Sequence, residues 1–145
     1  MNVALDTNVL VYFEGINDRE RRDAAQALVG RLDRHRLVLP AQVLGELYSV
    51  LTGKGRMQAD DAKPVVERWR LLANIEPTTS QTVTAALDLA AAHRLQFWDA
   101  AILAATREAE CQLLLSEDMQ DGFVWRGVTV ANPFAAVPHP LLASV

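Results

Sequence analysis

Short apolar runs alternate with helix-length segments along almost the whole chain, and no other feature limits the fold as much. "NVAL" (2–5), "LVLP" (37–40), "NIEP" (74–77), "QLLLS" (112–116) and "GVTVANP" (127–133) read as strands. Most of the intervening stretches carry apolar residues at helical spacing. Parallel strands need crossovers of a dozen or more residues, and right-handed βαβ units supply them while laying helices on both faces of the sheet. The expected architecture is therefore a three-layer α/β/α domain over residues 1–134. Its parallel sheet has about five strands, in the order 3-2-1-4-5, and an irregular tail, 135–145, follows.

Local chemistry agrees with this reading. A short helix after the first strand closes at Gly15, and Asp18 is placed to cap a helix over 18–34 that carries Ala24, Ala25, Leu28, Val29 and Leu32 on one face. Val43, Leu44, Leu47, Val50 and Leu51 form a stripe that ends at Gly53. Pro64 is tolerable near the first turn of a helix over 58–73. Helices over 80–94 and 98–110 follow, and the second is apolar all round at "WDAAILAAT", which predicts that it is buried.

The acids fall where such a sheet places chemistry. Asp6 ends the first strand and Asp118 lies just past the fourth, so the two flank the point where the strand order reverses and where open α/β sheets bind ligands. Each has an ordinary alternative. Asp6 suits an Asx turn, and Asp118 belongs to "SEDMQDG", whose residues are also those of a polar turn closed by Gly122. Glu46 sits on a helix about 40° from the apolar position Val50, where a snorkelling side chain is the alternative. Asp99 opens the apolar helix and equally suits an N-cap.

As a set, these acids point to a cation. Two like charges about 4 Å apart repel by about 4 kcal/mol at an effective dielectric near 20, so converging carboxylates need protonation or a positive ion. Cys111 is the only cysteine, and His35, His93 and His139 lack ligand spacing. Oxygen ligands and a hard ion, Mg²⁺ or Mn²⁺, are the natural solution.

Around these acids the chain resembles PIN-domain ribonucleases, in particular the small stand-alone toxins of type II toxin–antitoxin pairs, the VapC type. "LDTNVLVY" looks like the family's first acidic motif, "QVLGELYSVLT" its glutamate helix, "FWDAAILAA" its third motif, "LLSEDMQDG" its fourth, and "VANPF" a closing strand. The likeness runs from residue 2 to 134. Gln96 departs from it, standing where a serine is common, and the tail after Phe134 has no counterpart.

The resemblance implies a PIN-like, Rossmann-related fold in which Asp6, Glu46, Asp99 and Asp118 surround the metal and carry catalysis. Asn8, Ser116 and Asp121 stand as supporting residues, Asp121 equally as a turn former, and Glu117 is expected to face solvent. It implies RNA as substrate, hydrolysed by water that a divalent ion activates. Net charge is −4, with 18 acidic and 14 basic residues, which by itself argues against a nucleic-acid partner. Setting aside the four acids leaves 14 of each sign, and 12 of the basic residues are arginine. Arg31, Arg34, Arg36, Arg56 and Arg94 are candidates for phosphate contacts.

A toxin needs an antitoxin. The expected inhibitor carries an amphipathic helix for apolar surface drawn from Leu10, Tyr12, Phe13, Leu47, Tyr48 and Leu51, and an arginine for the acids. A homodimer is also expected. No membrane segment or secretory signal is read, so a cytoplasmic location is the default. Three alternatives stand beside this reading: a housekeeping RNA-processing PIN nuclease, a non-catalytic PIN-fold binding module, and an aspartyl-phosphate enzyme. No lysine follows Lys63 to serve the last.

Overall fold

The computed structural model describes residues 1–145 except for the side chain of His35, so the expectation that His35 joins no ligand cluster lies outside the described residues. The chain runs β1 (Val3–Leu5), α1 (Thr7–Phe13), α2 (Arg19–Arg31), β2 (Leu37–Pro40), α3 (Ala41–Thr52), α4 (Ala59–Leu72) and β3 (Asn74–Glu76). It continues through α5 (Ser80–His93), α6 (Phe97–Glu108), β4 (Leu113–Leu115), β5 (Val124–Trp125) and β6 (Val128–Ala131). Single 3₁₀ turns lie at Arg34–Arg36 and Pro140–Ser144.

The sheet order is β3-β2-β1-β4-β6-β5. β3, β2, β1, β4 and β6 pair in parallel, as the expected order 3-2-1-4-5 requires. β5 is a correction: it is a sixth, two-residue strand antiparallel to β6, with Trp125 opposite Val128. Arg126 (φ 45°) and Gly127 (φ 86°) make the two-residue turn between them, a left-handed pair of the kind that matches hairpin twist. Every residue of β1, β2 and β4 is buried, as expected of parallel strands covered on both faces.

The right-handed rule for parallel crossovers puts α1 to α4 over one face and α5 with α6 over the other. The packing agrees, with α1 against α2 and α3, α3 against α4, and α5 against α6. Ala100 to Thr106 of α6 are all buried, and the Thr106 hydroxyl satisfies itself inside the core by donating to the Ile102 carbonyl at 2.7 Å. Asp18 caps α2 by accepting from the Arg21 backbone at 3.0 Å. Pro64 lies deeper than expected: it is inside α4, past its first turn. Toward the chain end, the turn at Pro140–Ser144 seats Leu142 in the core.

Candidate active site

The end of β1 turns directly into α1, and Asp6 is both the hinge and the N-cap. Its Oδ1 accepts from the Thr7 backbone at 2.7 Å, and its own N–H donates to the Leu115 carbonyl at 2.9 Å, tying the ends of β1 and β4 together. Ser116, fully buried just past β4, donates its hydroxyl to Asp6 Oδ2 at 2.6 Å. The Ser116 oxygen in turn accepts the Asp118 N–H at 3.1 Å, so one hydroxyl sets both the buried acid and the loop that carries the next one. Asn8 completes the brace. Its Nδ2 reaches Asp6 Oδ2 and Asp118 Oδ2, each at 3.2 Å, and its Oδ1 accepts the Glu117 N–H at 3.1 Å.

Glu46 and Asp99 close the cleft from α3 and α6. Gln42, one turn before Glu46, donates Nε2 to Glu46 Oε1 at 2.5 Å and to the Trp98 carbonyl at 3.1 Å, linking the two helices. The cap of α6 is Gln96, whose Oε1 accepts the Asp99 N–H at 3.1 Å. Asp99 is therefore no N-cap, and its carboxylate is left to the cleft. The cleft holds about 890 Å³, and Gln42, Glu46, Gln96, Trp98, Asp99 and Asp118 are among the residues that line it.

Burial and mutual repulsion set the electrostatics. Burial pushes Asp6 up from 3.8 to about 6, against the pull of the Ser116 and Thr7 hydrogen bonds, and the charges of Asp99 and Asp118 add to the push. Glu46 is raised first by burial, with Gln42 opposing and the charges of Asp6 and Asp118 adding. Asp99 is raised by burial, then by Asp118 and Glu46. Among the described residues no lysine, arginine or histidine forms a salt bridge with any of the four. The Thr7 hydroxyl lies beside Glu46, buried and outside hydrogen-bond geometry.

This donor set fits a hard divalent cation: four carboxylates from four elements, repelling one another, with no protein cation between them. As they stand, no three His, Cys, Asp or Glu side chains among the described residues are close enough to hold one ion.

The remaining candidates divide. Asn8 and Ser116 bond the acids directly. Asp121 does not; its Oδ1 accepts the Asn132 N–H at 2.8 Å and pins the loop to the end of β6, a turn former's role. Glu117 corrects the expectation of a solvent-facing acid, because Arg21 Nε donates to it at 2.6 Å and the Tyr12 hydroxyl at 3.1 Å. None of Arg31, Arg34, Arg36, Arg56 and Arg94 lines the cleft. Arg31 and Arg36 instead line a recess with Met1, Val3 and Leu37, at the opposite ends of β1 and β2.

Of the apolar set proposed for a partner, Leu10, Leu47 and Leu51 are buried in the core, because the inner faces of α1 and α3 pack inside the domain. Tyr48 is exposed, while Tyr12 and Phe13 are partly buried. Sequence reasoning passed over Gln42 and Trp98 as cleft residues. Their signals are a glutamine one helical turn before Glu46 and an aromatic at the polar start of a helix.

A family model described as the PIN domain matches residues 3–120. No match was found among curated proteins. Among solved structures, the chain is similar to a toxin–antitoxin complex from Klebsiella pneumoniae, at 21% identity over 92% of this chain and 98% of that one, with a TM-score of 0.66. It is similar also to FitAcB from Neisseria gonorrhoeae, at 19% identity over 91% and 98%, with a TM-score of 0.66. A third is the sarcin–ricin loop cleaving toxin VapC20 of Mycobacterium tuberculosis, at 20% identity over 78% and 87%, with a TM-score of 0.65. At these identities the likeness is one of fold.

Proposed function

The chain belongs to the PIN-domain family, and from that premise we propose that it is a divalent-metal-dependent endoribonuclease, the toxin of a type II toxin–antitoxin pair. One observation carries the reading: four carboxylates from four separate elements lie at the strand ends within reach of one another's charge, and among the described residues no salt bridge neutralises any of them. Repulsion of that kind lowers stability unless an ion relieves it. Asp6, Glu46, Asp99 and Asp118 would hold Mg²⁺ or Mn²⁺. Such an ion supplies a water of lowered pKa and stabilises charge on the phosphate and the leaving oxygen.

The chain's own residues prepare the site. Ser116 and Asn8 hold Asp6 and Asp118 in register, Gln42 orients Glu46, and Gln96 caps the helix so that Asp99 is free. Metal binding and proton release from Asp6 are linked, since the raised carboxyl must ionise to act as a ligand. One of the similar structures is by description a toxin–antitoxin complex and another a toxin, which supports a proteinaceous inhibitor for this chain too. With Leu10, Leu47 and Leu51 in the core, such a partner has Tyr48, Tyr12 and Phe13 left to cover from the set considered above.

The test is cleavage of RNA by the purified chain with Mn²⁺ and with EDTA. Cleavage is expected only with the ion, and Asp99→Asn is expected to lower it at least about a hundredfold while the fold is retained. Cleavage by Asp99→Asn within about threefold of the parent removes Asp99 from the site. Growth arrest on expression of the chain alone, relieved by the neighbouring small open reading frame, tests the toxin role. A chain harmless alone and unbound by that product fits a housekeeping nuclease instead.

A further inference from the structure

The cleft poses a problem for any nucleic acid that enters it. Its lining includes Glu46, Asp99 and Asp118 and, among the described residues, neither lysine nor arginine. A phosphate chain is therefore repelled by the protein's own charges at the place where it has to bind, and the arginines that could hold it lie elsewhere on the surface. Beyond a metal ion, attraction inside the cleft has to come from uncharged contacts. The uncharged part of a nucleotide is the face of its base.

Trp98 offers the matching surface. It is 54% exposed, on a helix whose following residues, Ala100 to Thr106, are all buried. It immediately precedes Asp99 and lines the same cleft. Its backbone is held where its carbonyl accepts from Gln42 Nε2 at 3.1 Å and the Asp99 N–H donates to Gln96 Oε1 at 3.1 Å, and its ring meets Phe97 edge to face at 4.9 Å and 74°. Phe97 in turn packs on the core. An anchored, half-exposed indole beside a carboxylate-lined cleft is suited to stacking, which tolerates every base because every base has a π face.

We propose that Trp98 is a stacking platform for an unpaired base next to the bond that is cut, a positioning contact made by the indole face and not by charge. A base inside a duplex has both faces covered by its neighbours and cannot stack on Trp98. The inference rests on the nuclease reading above but concerns binding, and the two are separable by experiment.

Intrinsic fluorescence reads binding directly. Trp69 is fully buried and Arg126 lies over the Trp125 ring at 4.8 Å, which leaves Trp98 as the open indole. Titration with a phosphorothioate oligoribonucleotide of roughly eight nucleotides, in Mn²⁺, is expected to quench the parent. The same strand in a duplex should quench far less, and Trp98→Phe should lose the signal. In parallel, Trp98→Ala is expected to raise KM for single-stranded RNA about tenfold or more, with kcat within about threefold and Trp98→Tyr restoring most of the loss.

Unchanged KM in a folded Trp98→Ala, or quenching that persists in Trp98→Phe, overturns the proposal. So does a Trp98→Ala chain that keeps its KM and loses only its hold on a co-expressed protein partner, since that makes Trp98 a protein-docking residue. If Trp98→Ala does not fold, Trp98→Tyr and the parent titration decide. A parent that binds through Trp98 and cleaves no RNA keeps the stacking inference and defeats the nuclease reading. A parent that cleaves RNA with no part played by Trp98 does the reverse.

Discussion

Glu117 and Asp118 are neighbours in one loop and live in opposite electrostatic worlds. Glu117 is held by Arg21 at 2.6 Å and by the Tyr12 hydroxyl at 3.1 Å, with Arg21 also bonded to Asp18 and set against the rings of Tyr12 and Phe134. Asp118 receives one amide, from Asn8, and otherwise faces other carboxylates across the cleft. Glu14 repeats the first pattern, with Arg68 at 2.6 Å and the Trp69 indole at 2.8 Å. The fold thus neutralises with arginine the acids that join its helices and leaves the cleft acids without a counterion. Asn8 touches both groups, accepting from the Glu117 backbone and donating to Asp6 and Asp118.

The largest expected effect tests that division directly. Asp118→Ala should reduce metal-dependent cleavage at least about a hundredfold, while Glu117→Ala should leave cleavage within about tenfold of the parent and lower the denaturation midpoint instead. Equal losses of activity at both positions, measured with the same RNA, would make the loop a turn and not a source of ligands.

The next effect is one of pH. Asp6 titrates at about 6 in the folded chain against an ordinary 3.8, so between those values the native state keeps a proton that the unfolded chain has released. Stability of the metal-free protein on this account falls as pH rises through that window, by about 3 kcal/mol in all, and is not recovered above it. Urea denaturation at pH 4.5 and pH 7.5 should show the fall, and Asp6→Asn should flatten it. Mn²⁺ should raise the pH 7.5 midpoint far more than the pH 4.5 one. A metal-free midpoint that rises with pH in the parent and in Asp6→Asn alike would refute the assignment to Asp6.

Ser116→Ala is the third. It strips a 2.6 Å bond from a buried carboxylate, and a loss of about 1–3 kcal/mol is expected at pH 7.5. The loss should shrink toward pH 4.5, where Asp6 is neutral, and a pH-independent loss would point to packing alone. The smallest effect is assigned to Asp121→Ala, which removes only the bond to the Asn132 backbone and should change cleavage within about threefold. A loss as large as that of Asp118→Ala would restore Asp121 to the metal's surroundings.

What the sequence by itself determined follows from local rules. Periodicity and turn residues give the alternation of strands and helices, the cap at Asp18 and the reversal at Gly122, whose φ is 84°. The acids Asp6 and Asp118 were legible because residues at the ends of adjacent parallel strands must meet, whatever the details of packing. Everything that needed a distant partner was decided by the tertiary structure. Glu117 looks solvated until Arg21, 96 residues earlier, reaches it, and Asp99 looks like a cap until Gln96 takes that place. Leu10, Leu47 and Leu51 could have been surface or core, since helical spacing marks an apolar face without saying what lies over it. β5 is two residues long, too short for any period, and exists only because β6 is there to pair with it.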